Sequence, residues 1–132
     1  MHSRTSVALF LLLGISVSLF GCRQQREVNP PPMHPVQGKV TSASGRIPAG
    51  CQIQFMPDDV RCTAEGLIGQ DGSFTLQTRY EGVVCEGAAE GAYSVTIIPP
   101  LSGPATGVSG PISLPGKITI KPGENTVTIP LQ

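Results

Sequence analysis

Cysteines and histidines are the residues of this chain whose chemistry could define a function. The 132-residue sequence has four cysteines (Cys22, Cys51, Cys62 and Cys85) and two histidines. Hydrolytic catalysis needs a nucleophile with an orienting base, and His34, the one histidine beyond the amino-terminal segment, lies in a proline-rich stretch. The cysteine spacing matches no standard zinc pattern. The sequence therefore predicts no catalytic residue, no metal site and no cofactor, and we expect a protein that is not an enzyme.

An uncharged stretch directly before Cys22 indicates export. Residues 7–20 carry no charge and follow a short segment that contains Arg4. A basic start, an apolar run and a small residue, Gly21, at the cleavage site are typical of a signal peptide. The apolar run is shorter than the ~18 to 20 residues that a transmembrane helix requires. We therefore expect residues 1–21 to be removed.

The segment Leu19-Phe20-Gly21-Cys22 resembles the lipobox of bacterial lipoproteins. The resemblance implies that Cys22 becomes the first residue, with palmitate or a similar acyl chain on its thiol and its new amino group. Two or more chains hold a protein on a bilayer far more firmly than one. It implies a cell-envelope protein anchored by lipid on the periplasmic or surface face of a membrane. An ordinary secretory signal with a stray thiol at Cys22, and an uncleaved short anchor, are the alternatives.

Composition and charge describe a small β-rich domain. Nine basic and nine acidic residues balance, and the loss of Arg4 with the signal leaves the mature chain slightly acidic. Nucleic-acid binding needs a basic patch, so we expect no nucleic-acid partner. Sixteen glycines and thirteen prolines favour turns and short strands over helices. We expect a monomer with a modest core, bound to the membrane and to an unidentified envelope protein.

The mature sequence divides into a tether and one domain. Residues 22–35 are amide-rich and then proline-rich, so they have little to bury and should be extended. Polyproline II geometry of ~3.1 Å per residue would let this tether span up to about 40 Å. Residues 36–132 form the predicted domain.

Alternating apolar residues in that domain predict strands separated by turns. Cys51, Ile53 and Phe55 alternate with polar residues and should face inward. Asp71-Gly72 is a strong hairpin signal, whereas 78–89 and 99–114 read as loops. Seven short strands in under 100 residues predict an all-β, seven-stranded antiparallel Greek-key β-sandwich. The predicted strands cover residues 36–40, 51–56, 63–69, 73–77, 91–98, 117–120 and 126–131.

Five ordered motifs resemble one family of domains. The motifs are Pro35–Thr41, Ile53–Phe55, Asp71–Leu76, Gly91–Ile97 and Lys121–Asn125. In this order they are similar to small bacterial lipoproteins that carry a carboxypeptidase regulatory-like, or transthyretin-like, domain. The resemblance covers roughly residues 35–131 and implies a prealbumin-like sandwich of seven strands, acting as a structural or protein-interaction module.

The three remaining cysteines are an odd number for an oxidising compartment. The predicted order of strands places Cys51 and Cys62 at opposite ends of the sheet. The chain then reverses twice, which brings Cys85 near Cys62. We predict a Cys62–Cys85 disulfide worth about 3 kcal/mol in the chain-entropy model, with Cys51 as a buried thiol. A zinc site and a catalytic thiol are weaker alternatives.

Several other groupings remain open as hypotheses. Asp58 and Asp59 with Asp71 could bind calcium, although the predicted topology separates them. A Lys39–Asn125 isopeptide bond would fit an adhesin-like sandwich, although alternation turns Lys39 outward. Two of the carboxylates Glu65, Glu81, Glu86 and Glu90 could form a pair, but their positions in or beside loops favour solvated charges. Met33 and His34 could bind a metal, but their position favours a simple linker.

The alternative function is a carbohydrate- or small-ligand-binding module of the envelope. Such modules use exposed aromatic side chains, and Tyr80 is the one that the pattern leaves available. The loop before Tyr93 also departs from the approach that is usual in the family.

Overall fold

The computed structural model describes residues 27–101 and 110–132. These residues form eleven β-strands and one 3-10 helix, Val60–Cys62. The predicted signal peptide and Cys22 lie outside the described residues. The strands are β1 (Met33–His34), β2 (Val36–Ser42), β3 (Gln52–Pro57), β4 (Ala64–Leu67), β5 (Ser73–Thr75), β6 (Gln77–Tyr80), β7 (Val83–Glu86), β8 (Ala88–Ala89), β9 (Gly91–Ile98), β10 (Ile112–Ile120) and β11 (Asn125–Leu131).

Two sheets pack as a sandwich, and a short strand pair lies beside them. The larger sheet has the order β10-β9-β3-β4-β6-β7, the smaller has β11-β2-β5, and β1 pairs with β8. The prediction of an all-β sandwich is therefore confirmed. The predicted seven strands are wrong in number, because Met33–His34 pairs as a strand, the run after Gly72 is divided between two sheets, and 78–89 contributes strands of its own.

The core follows the alternation that the sequence predicts. Ile53 and Phe55 on β3, and Val36 and Val40 on β2, are buried, and Cys51 just before β3 is a buried free thiol. The Phe55 ring lies 6.2 Å from the ring of Phe74 and 6.0 Å from that of Tyr93, both tilted. The tilted aromatic contacts add to the area buried between the sheets.

The segment after the Asp71-Gly72 turn changes sheets at its midpoint. The turn forms as predicted, with Gly72 at positive φ, but β5 pairs with β2 rather than with β4. After Leu76 the same run becomes β6 and pairs with β4 in the larger sheet. A Cβ at Gly66 on β4 would overlap the Thr75 carbonyl oxygen, so glycine permits the crossing.

Residues 78–89, predicted as a loop, instead form most of a hairpin. Glu81 and Gly82 have φ values of 46° and 87°, the conformation of a two-residue type I′ turn. β6 and β7 pair on either side of it. The sequence signal was weak because Glu-Gly is a less common turn pair than Asn-Gly, and because Val83 and Val84 do not alternate with polar residues.

The last strand corrects the predicted antiparallel pairing. β11 lies parallel to β2, with Asn125 opposite Val36 and Leu131 opposite Ser42. The turn between Ile120 and Asn125 forms, but it connects β10 in the larger sheet to β11 in the smaller one. Because β11 joins the smaller sheet and does not fold back beside β10, it need not be antiparallel to its neighbour, and it runs parallel to β2.

Strand pairing begins within the segment that the sequence predicts as a tether. Met33 and His34, which the prediction placed in the tether, pair with Ala89 and Ala88 as strand β1. A Cβ at Gly87 would overlap the His34 carbonyl oxygen, so the close approach of these segments requires glycine. Among the residues that the structure describes, no helix is long and apolar enough to cross a membrane.

Candidate functional site

The structure keeps the three described cysteines apart as thiols. Cys62 is buried at the end of the 3-10 helix, which contacts β3 and β6, whereas Cys85 is half-buried on β7. The predicted Cys62–Cys85 bond is not formed, and β6 lies between β4, which follows Cys62, and β7. The pairing stays a prediction, and a disulfide would need the two Cα atoms within about 7 Å of each other.

Burial makes Cys62 a poor nucleophile in this conformation. Desolvation raises the pKa of its thiol, and the nearby Asp59 carboxylate raises it further. A reactive cysteine needs the opposite environment, because the thiolate is the attacking species. The position of Cys62 therefore gives it a packing role.

An ion pair caps the 3-10 helix and covers one aromatic ring. Asp59 accepts from the Arg61 backbone N–H (3.2 Å) and from its Nε (3.0 Å) and Nη2 (2.9 Å). The Arg61 guanidinium lies 5.8 Å from the centre of the Tyr80 ring, a cation–π arrangement. These hydrogen bonds lower the pKa of Asp59. Tyr80, the aromatic residue considered for ligand binding, is thus already covered on one side.

Two of the three carboxylates considered for calcium binding already accept hydrogen bonds from neighbouring residues. Asp59 is bound by Arg61, and Asp71 accepts from the Ser73 N–H (3.1 Å) and hydroxyl (2.6 Å) within its turn. Within residues 27–101 and 110–132, no three His, Cys, Asp or Glu side chains are grouped closely enough to hold a metal ion. Asp59 and Asp71 therefore have structural partners.

The proposed isopeptide pair is out of register. Asn125 lies opposite Val36, and Lys39 lies opposite Thr128, three positions further along the parallel pair. The Asn125 amide donates to the carbonyls of Lys121 (2.8 Å) and Gly123 (3.0 Å) and caps the turn. His34, which the sequence places in the predicted tether, lies beside this same turn, and its Nδ1 accepts from the Gly123 N–H (3.3 Å).

One side of the sandwich carries a groove between the edge strands of the two sheets. It has a volume of about 500 Å³ and lies between β10 and β11. Each of these two strands carries a feature at the groove that hinders pairing with a further strand. β10 bulges at Pro115 and Gly116, where four steps along β10 match two along β9. In β11, the N–H of Asn125 points to β2, so by alternation the outward positions include Pro130, which has no N–H.

The opposite edge of the larger sheet has no such interruption. β7 is the terminal strand and pairs on one side with β6. Its apolar residues Val83 and Val84 are 42% and 53% exposed. The segment reads as a loop in the sequence, so this edge was not predicted, although the Glu81-Gly82 pair between Tyr80 and Val83 was a usable hairpin signal.

The outer face of the larger sheet presents a row of polar side chains. The row crosses all six strands, with each residue in register with the next, and Gln52 in the adjacent row donates to Glu65 (2.6 Å). Amide, hydroxyl and carboxylate groups at this spacing can hydrogen-bond a polar ligand laid across the strands. The row consists of Ser113, Thr96, Gln54, Glu65, Gln77 and Glu86.

Comparison with known proteins leaves the family open. No family model and no curated protein matches this chain. One solved structure is similar, a DUF3823 family protein from Parabacteroides merdae ATCC 43184, with 21% sequence identity and a TM-score of 0.48. The match covers 76% of this chain and 46% of that protein, so this chain spans less than half of its length.

Proposed function

We propose that the protein is a lipid-anchored lipoprotein of the cell envelope whose β-sandwich is a non-catalytic structural or protein-interaction module. The observation that carries the proposal is the position of Cys22, directly after an uncharged stretch typical of export signals, with ten residues between it and β1. Ten residues in polyproline II geometry would span about 30 Å, enough to hold a small domain clear of lipid headgroups, and this length supports the proposal. The anchor thus sets location, and the sandwich supplies the surface.

We also propose that the domain is transthyretin-like. The motifs behind the carboxypeptidase regulatory-like resemblance coincide with β2, β3, β5, β9 and the turn before β11. Support for a non-catalytic role comes from the described residues that chemistry would need. The imidazole of His34 accepts a backbone hydrogen bond, and the raised pKa of Cys62 disfavours its thiolate.

The anchor is tested by detergent partition and intact mass of the native protein. We expect the wild-type chain to enter the detergent phase and to begin at an acylated Cys22. Cys22→Ser should remain uncleaved or appear in the aqueous phase, whereas Cys85→Ser, a matched change of a half-buried thiol, should behave like the wild type. A water-soluble wild-type protein with a bare thiol at position 22 would refute the proposal.

Binding of a carbohydrate or another polar ligand is the second candidate function. The polar row on the larger sheet favours it, because Gln54 and Glu65 face solvent side by side. Calorimetric titration with envelope polysaccharides should give binding that Gln54→Ala weakens and Gln37→Ala, on the other sheet, leaves unchanged. Equal affinity for both variants would remove this candidate.

A further inference from the structure

We propose that β7 is a self-association surface, through which two copies of this chain pair edge to edge in antiparallel orientation. This surface consists of the outward backbone groups and exposed side chains of Val83–Glu86. The inference does not depend on the lipid anchor, and it departs from the expectation of a monomer. It rests on the backbone directions, the charges and the contrast with the other edges of the sandwich.

Backbone hydrogen bonds show which groups of β7 are free to pair. The Gly87 N–H donates to the Leu76 carbonyl (2.8 Å), so Gly87 points toward the β6 side. Directions alternate along a strand, and Cys85 and Val83 therefore point the same way. Val84 and Glu86 direct their N–H and C=O groups away from β6, where the described residues supply no strand partner.

One antiparallel register uses all of these outward groups. A two-fold axis at Cys85 places Val84 of one copy opposite Glu86 of the other, twice. Both pairs then exchange backbone hydrogen bonds, and the two Cys85 residues face each other in a pair that is not hydrogen-bonded, with Cα atoms about 4.5 Å apart. A register centred on Glu86 would oppose two carboxylates, which is unfavourable.

The side chains on this edge are self-complementary in that register. Arg79 lies beside Val84 on the outer face of the sheet. Glu86 of the second copy continues the same cross-strand row beyond Val84. In that row Arg79 of each copy lies two strands, or about 10 Å, from Glu86 of the other copy, within reach of two extended side chains, and a two-fold axis produces this arrangement twice. A partner strand of a different protein would have no built-in match of this kind.

The contrast among edges supports a specific use of β7. Natural sheets protect edges with proline, bulges or charge. β10 has Pro115 in a bulge and β11 has Pro130 at an outward position, while β7 has two exposed valines and no proline. The short length of β7 and the charge of Glu86 are its remaining protection. An edge that combines exposed valines with a single charge suits a partner that supplies the opposite charge.

Cys85 provides a native reporter of the register. The full-length protein, purified in detergent, is treated with a short bis-maleimide, which should join two Cys85 thiols into a covalent dimer seen on a denaturing gel. Cys85→Ser should abolish this product and Cys51→Ser should keep it. Sedimentation at increasing concentration, without cross-linker, should show the dimer in both variants.

Charge substitutions test the pairing itself. Val84→Glu would face Glu86 of the second copy, and we expect dimer formation to fall at least tenfold. Val84→Glu combined with Glu86→Lys restores opposite charges and should recover the dimer. Leu67→Glu, at a still more exposed apolar position on β4 (73% against 53% for Val84), is the control and should dimerise normally. A wild type that sediments as a monomer, no response to Val84→Glu, or no recovery in the double variant would overturn the proposal.

Discussion

The two outer strands of the larger sheet differ in how firmly they pack against the core and in how their outer edges are protected from pairing. β10 is nine residues long, buries Ile120 against the core and carries a proline in its bulge. β7 is four residues long and exposes both of its valines. Core packing and edge protection are thus combined at the β10 side of the sheet, and both are reduced at the β7 side. The β7 side is therefore held by its turn, its glycines and a few hydrogen bonds.

The largest expected difference is in core attachment. Ile120→Ala should lower the free energy of unfolding by about 3 kcal/mol, because the removed methyl groups leave a cavity in a fully buried position. Val84→Ala should change it by less than about 0.5 kcal/mol. Urea unfolding at low protein concentration measures both values. Similar losses in the two variants would mean that β7 is packed as firmly as β10.

The glycines at either end of β7 should differ in cost. Gly87 and Gly82 both have φ near 87°, which costs an L-residue about 1 to 2 kcal/mol. At Gly87 a Cβ would also overlap the His34 carbonyl, whereas the space around Gly82 is open. We expect Gly87→Ala to cost about 3 kcal/mol and Gly82→Ala about 1 kcal/mol. Thermal unfolding that ranks Gly82→Ala as the more damaging variant would contradict this account.

Tyr93 should show how the segment after β7 is fastened. Its hydroxyl donates to the Ala89 carbonyl (2.6 Å), and Tyr93→Phe should cost about 1 to 2 kcal/mol by leaving that carbonyl unpaired. Burial raises the pKa of Tyr93 to about 12 from 10.0. Since the folded state favours the neutral phenol, its contribution is complete below pH 10 and is lost as the pH rises toward 12.

The measurement is the unfolding free energy of wild type and Tyr93→Phe across that range. The difference between them should shrink from pH 10 to pH 12. Tyr80→Phe, at a half-buried ring, serves as the control and should leave the alkaline profile of the wild type in place. A gap between wild type and Tyr93→Phe that stays constant would show that Tyr93 does not titrate on unfolding.

The smallest expected effect concerns the cap that covers Tyr80. Arg61 lowers the pKa of Asp59 through its hydrogen bonds, so the stabilisation is present above the unfolded value of 3.8 and is lost as the pH falls below it. Asp59→Asn should thus be slightly less stable than wild type at pH 7 and equal to it in strong acid. Asp58→Asn removes the same charge and an exposed ion pair with Lys117 (3.6 Å) but leaves the Asp59–Arg61 hydrogen bonds in place, so it is the control for net charge. Acid titration followed by circular dichroism distinguishes the two.

The sequence predicted the centre of the fold better than its edges, for a physical reason. β3 and β9 alternate because one face of each is buried, and their predicted positions agree with the structure to within a residue. β7 lacks that alternation, since all four of its residues are exposed or half-buried. The 112–120 strand was predicted from 117 onward, because Pro115 and Gly116 read as loop residues and a bulge can include them.

The alternation of apolar and polar residues also does not predict contacts between segments that are distant in the sequence. Nothing in Ser73–Gln77 shows that it changes sheets at Leu76, since the crossing depends on the space above Gly66. The same limit applies to the predicted cysteine pair. Where Cys85 lies relative to Cys62 depends on the order β4-β6-β7, which the alternation of residues does not specify.

The parallel pairing of β2 and β11 determines how the domain would respond to mechanical force. Val36 begins the pair on one strand and Leu131 finishes it on the other, so the two ends lie at opposite extremes of a seven-residue ladder. A pull applied to those ends loads all the hydrogen bonds of the ladder in shear, together rather than one after another. If the domain is held at the start of β2 and force is applied at the end of β11, the pairing of these two strands would resist extension.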